Sequence, residues 1–110
     1  MKSEIDEIIE EIKRFRNDRD WQQFHDGKNL AISLSVEASE LLETFLWKKD
    51  TEADLIKVKQ ELADVFYNAF LLADLYEFNI KQIITEKLNA NALKYPIEKS
   101  KGSNKKYNEL

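Results

Sequence analysis

The stretch ADLIKVKQELADVFYNAFLLADLYEF, residues 53–78, decides the fold. Val58, Leu62, Val65, Ala69, Ala73 and Tyr76 recur at helical spacing, which predicts one long helix from about Ala53 to Phe78. The rest of the chain reads the same way. It has 110 residues with only two glycines and one proline, which argues against a turn-rich β fold and for long helices. Ser3 with Asp6 marks a helix start, followed by Ile5, Ile8, Ile9, Ile12 and Phe15, with an end near Asn17. A second helix is expected from about Asn29 to Trp47, with Leu30, Leu34, Ala38, Leu41 and Phe45 as its stripe. A fourth runs from Ile80 to about Lys94, packing Ile83, Ile84 and Leu88; Asn79 reads as the stop before it and Pro96 as its end. The segment from Asp18 to Asn29 shows no period and reads as a structured loop. The expectation is an all-α, four-helix bundle over residues 1–96 with a flexible lysine-rich tail over 97–110.

Composition excludes several classes. A net charge of −4, with both signs interspersed, gives no electrostatic case for a nucleic-acid polymer. With no cysteine there is no disulfide framework, thiol nucleophile or thiolate metal site. The acidic start is unlike a signal peptide, and no apolar run reaches the ~20 residues of a membrane span, so a cytoplasmic protein without a membrane partner is expected. Gly-rich phosphate loops are absent.

The long helices carry the chemistry. Residues three apart on a helix share a face, since each residue advances about 100°. Glu37 and Glu40 form one such pair and Glu61 and Asp64 another, each on the shoulder of an apolar stripe. Carboxylates at a packing face lose hydration and repel one another. Four converging acids therefore call for a cation, and Mg²⁺ prefers oxygen ligands. Single pairs of this spacing are mostly solvated; two pairs on consecutive helices are less easily dismissed. Glu43, Asp54, Asp74 and Glu77 lie off those shoulders or near helix ends and read as solvated. A di-iron bundle needs Glu-x-x-His on two helices, and His25 is the only histidine.

The pattern Glu37-x-x-Glu40, twenty residues, Glu61-x-x-Asp64 resembles the all-α nucleoside triphosphate pyrophosphohydrolases of the MazG-like superfamily. Asp20-Trp21-Gln22-Gln23-Phe24-His25, Lys28-Asn29-Leu30, Phe45-Leu46-Trp47-Lys48 and Lys87-x-x-x-Asn91-x-x-x-Tyr95-Pro96 are similar to its dCTP pyrophosphatase branch. The resemblance implies a homo-oligomer with sites close to subunit interfaces. It implies that Glu37, Glu40, Glu61 and Asp64 bind Mg²⁺, with Mn²⁺ as a substitute, and that a nucleoside triphosphate is cleaved to monophosphate and pyrophosphate. It implies that Trp21 and Trp47 sandwich the base, that His25 lines that pocket, and that Lys28, Lys87, Asn91, Lys94 and Tyr95 lie near the nucleotide. Where the branch often has tyrosine this chain has Asn68, so the contact there differs; Tyr67 points about 100° away. The expected substrate is dCTP or a modified relative, in nucleotide-pool sanitation, with dUTP or a broad set as the alternative. Glu37, nearest the stripe of its helix, is the expected general base.

On the residues alone, other readings stand beside these. Trp47 at a helix end is commonly a core or interface residue. His25, Lys28 and Lys94 read as ordinary surface groups. Asn91 is poorly suited to a helix interior, which suggests a side-chain task, but Asn89 is placed equally badly. A helical interaction module, its acids merely solvated, is the reading from another class.

Overall fold

The computed structural model describes residues 1–110 and is all-helical. Helix α1 spans Glu4–Asp18, α2 Gly27–Glu43, α3 Leu55–Leu75, α4 Ile80–Lys94 and α5 Ile97–Ser100, with 3-10 turns at Trp21–Phe24, Asp50–Glu52 and Tyr107–Glu109. No helix is long and apolar enough to cross a membrane.

Caps explain the boundaries. The Ser3 hydroxyl accepts from the Asp6 amide at 3.1 Å while the Asp6 carboxylate accepts from the Ser3 amide at 3.2 Å, a reciprocal capping box. Helix α2 starts earlier than expected because Asp26 accepts from the Asn29 amide at 2.7 Å. It also stops at Glu43 rather than Trp47. Thr44 turns its hydroxyl onto the Leu41 carbonyl at 2.7 Å, and Trp47 takes a left-handed φ of 63°. Asp54, expected to be merely solvated, caps α3 through the Ile56 amide at 2.9 Å. Asn79, expected as a stop, caps the start of α4 by accepting from the Gln82 amide at 2.9 Å. Asp74, also expected to be solvated, is half-buried and pairs with Lys13 at 3.6 Å.

The chain forms two compact units, Met1–Glu77 and Phe78–Leu110. The expected bundle is thus three helices in the first unit, with α4 and α5 in the second. In the first, α2 packs along α3 more extensively than any other pair of elements. A Cβ at Gly27, on the first turn of α2, would strike the Tyr76 hydroxyl just past the end of α3, while Glu37 and Glu61 meet midway, so the two helices are antiparallel. Leu30 and Leu71, at 2% and 1% exposure, with Ala73 are the buried apolar centre. In the second unit, Ile83, Ile84 and Leu88, expected to pack, are exposed. Residues 97–110, expected as a flexible tail, hold α5 and the last 3-10 turn, and Tyr107 meets Tyr95 edge-on at 6.3 Å.

Candidate active site

Halfway along the α2–α3 pair, Glu37, Glu61 and Asp64 each bring one carboxylate oxygen to within 4.8 Å of the other two. Glu40 lies beside Glu37 and Glu61, close enough to share a proton with either. Burial, then the Glu40 hydrogen bond, then the charges of Glu40, Asp64 and Glu61 raise the Glu37 pKa from the ordinary 4.5 to about 7. The same forces raise Glu61, burial first and Glu40 next. Glu43, exposed as expected, adds its charge to that of Glu61's neighbours.

Glu37 Oε2 and Glu61 Oε2 are shut off from solvent and have no hydrogen-bond partner. A buried carboxylate oxygen without a donor is costly. Two of them facing a third acid fit the ligand demand of a hard divalent cation, which takes oxygen donors and offsets their repulsion. Three of the four expected ligands form the tight group, and the fourth, Glu40, lies beside them.

Asp64 also edges a groove of about 900 Å³ between α1 and α3. Ile12, Phe15, Trp21, Phe66, Tyr67 and Phe70 make its wall almost wholly apolar. Phe15 organises the aromatic side. Trp21 meets it edge-on at 5.8 Å, Tyr67 at 6.1 Å, and the Arg19 guanidinium lies 3.7 Å from its ring centre. Phe66 and Phe70, one turn apart, pack at 5.9 Å. Sequence reasoning missed this wall. Its signal was the aromatic density of 66–70 at the end of the carboxylate motif, together with Phe15 on α1.

The other expected site residues divide. Trp47 is fully exposed on its left-handed turn, neither in the core nor against Trp21. His25 lines a different, polar cavity beside Arg16; burial and then the Arg16 charge lower its pKa. Asn68 is buried and donates its Nδ2 to the Asp64 carbonyl at 3.0 Å, inside its own helix. Lys28 is exposed on the first turn of α2. In the second unit Lys87 is exposed, Asn91 and Tyr95 are half-buried, and Lys94 Nζ lies 5.0 Å from the Tyr107 ring centre.

Residues 32–110 match the model of the MazG-like family. The chain is 35% identical to dCTP pyrophosphatase 1 of Mus musculus over 114 aligned residues, covering 93% of this chain and 67% of that protein. Against dCTP pyrophosphatase 1 of Homo sapiens the identity is 32%, with the same coverage of 93% and 67%. A crystal structure of a pyrophosphatase from Archaeoglobus fulgidus superposes with a TM-score of 0.81 at 33% identity, over 87% of this chain and 95% of that one. By a matched family model over most of its length, and by relatives that are pyrophosphatases, the chain belongs to the MazG-like family.

Proposed function

We propose that the chain is a Mg²⁺-dependent hydrolase that converts a deoxynucleoside triphosphate, dCTP or a modified relative first, to the monophosphate and pyrophosphate. The carboxylate group of Glu37, Glu61 and Asp64, with its two orphaned oxygens, carries this reading. Membership of the MazG-like family and pyrophosphatase relatives support an enzyme over a bare interaction module.

Glu37, Glu40, Glu61 and Asp64 would hold the ion, with Mn²⁺ as a substitute. When bound, it supplies the charge that neutralises the triphosphate. Glu37, nearest the apolar stripe of its helix, is the candidate to take the proton of the attacking water. The water oxygen bonds to the α-phosphorus, the bridging oxygen to the β-phosphorus leaves with its electron pair, and pyrophosphate departs. Trp21, on the groove that Asp64 edges, offers a face for the base, and Trp47 offers a second. By family resemblance Lys28, Lys87, Asn91, Lys94 and Tyr95 are proposed as nucleotide contacts, and the working form as a homo-oligomer. The cellular role is sanitation of the nucleotide pool.

A second reading keeps the chemistry and changes the base to dUTP or a broad set. Asn68 favours it: its amide is spent on the Asp64 carbonyl where the dCTP branch often presents a tyrosine. One assay tests both. Each nucleotide is incubated with Mg²⁺ and pyrophosphate is measured. Release from dCTP that a chelator abolishes is expected; release from dUTP or many nucleotides selects the second reading. No release from any nucleotide, or release indifferent to chelator, overturns both.

A further inference from the structure

Arg16 is a charged residue with nothing of opposite charge. It is only 8% exposed, it takes part in no ion pair, and its one side-chain hydrogen bond runs from Nε to the side chain of its neighbour Asn17 at 3.0 Å. Buried arginines are ordinarily paired, because the guanidinium offers five donors and loses its water on burial. Arg16 lines a cavity of about 320 Å³ between α1, the Trp21–Phe24 turn and the C-terminal half of α3.

The rest of that cavity is built for a polar guest. Gln22 and His25 share its wall with Arg16. His25 Nδ1, on the same wall as the guanidinium, is buried without a hydrogen-bond partner. Lys13 and two acids, Asp74 and Glu77, also line the cavity, but neither acid pairs with Arg16. Asp74 is engaged by Lys13 at 3.6 Å, and Glu77 is exposed on a left-handed residue past the end of α3. Buried Leu30 and Leu71 give an apolar floor.

The geometry points to this cavity as a binding site for a small oxyanion, a phosphate or a carboxylate, gripped by Arg16. A guanidinium fork takes either group through two parallel hydrogen bonds. The volume admits inorganic phosphate or a short carboxylic acid. The site is separate from the carboxylate cluster and does not depend on the proposed hydrolysis. Its position has a consequence for the groove, because one short turn serves both. Trp21 faces the apolar groove while Gln22 and His25 face the cavity, so an anion held there braces the segment that carries Trp21.

The full chain, stripped of divalent ions, tests this. Without a cation the carboxylate cluster repels anions, so binding there does not interfere. Inorganic phosphate and acetate are titrated separately by calorimetry, at ionic strength held constant with chloride. Saturable binding of at least one is expected, and the two arms separate the phosphate source from the carboxylate source. Amide resonances of Gln22 and His25 should shift on saturation. Arg16→Met should weaken binding at least tenfold, and Glu77→Gln should strengthen it severalfold by removing the rim charge. If Arg16→Met does not fold, Arg16→Lys keeps the charge without the fork and should weaken binding severalfold. No saturable binding of either anion overturns the assignment. So does unchanged affinity in the Arg16 variant, or shifts confined to the lysine-rich segment 99–106.

Discussion

Glu37 and Glu61 each hide an oxygen that no donor in the chain answers. Their raised pKa values carry a sign for stability. Between about pH 4.5 and 7 the folded chain keeps a proton on Glu37 that the unfolded chain has released, so metal-free stability falls as pH rises through that window. Melting temperature measured against pH in chelator should decline there, and added Mg²⁺ should restore more of it at each step upward. A flat profile would detach the cluster from stability. Glu37→Gln should flatten the decline, raise the metal-free melting temperature, and cut turnover by ~100-fold or more, the usual worth of a general base. Near-normal pyrophosphate release from that variant would remove Glu37 from the role. At this scale the sequence was readable where a side chain's helical phase settles its place, as for the two acid pairs. It was not readable where a partner decides. Asn68 bonds to its own helix and His25 lines the cavity beside Arg16, and neither placement follows from spacing.

Among the elements, α4 was read with both boundaries correct, whereas α2 was read too long at its C-terminal end. Apolar periodicity continues through Phe45, but Thr44 back-bonding and the left-handed Trp47 end the helix, and neither changes hydrophobicity. A non-glycine residue in that region costs ~1–2 kcal/mol and persists where surroundings hold it. Trp47→Gly should therefore be about 1 kcal/mol more stable than Trp47→Ala by denaturant unfolding. Both should raise KM for nucleotide about tenfold, the order of one lost base stack. Unchanged KM would take Trp47 out of the substrate seat. The apolar groove escaped prediction for the opposite reason. Phe15 belongs to α1 and Phe66 and Phe70 to α3, and periodicity within one helix does not say which faces of two helices stay apart.

Across the molecule, hydrocarbon remains uncovered. Leu55, Ile56, Leu93 and Ile97 are 69–84% exposed, and the groove adds Phe15 and Phe66. Apolar surface on this scale marks contact surfaces. The proposed homo-oligomer accounts for it, so melting temperature should climb with protein concentration and light scattering should give a multiple of 13.0 kDa. A monomer mass with a concentration-independent melting temperature would leave the uncovered faces without that explanation. The all-α class was legible because it needs only period and punctuation. The division at Glu77 and Phe78 was not, because it depends on which helices meet.

The two tryptophans also differ as chromophores. Trp47 stands wholly in water, and Trp21 is packed edge-on to Phe15. Their emission should separate, with Trp47 redder and the first to yield to a dissolved quencher such as iodide. Any molecule that settles on the Trp47 ring shields it from that quencher, so the chain carries its own optical gauge of occupancy.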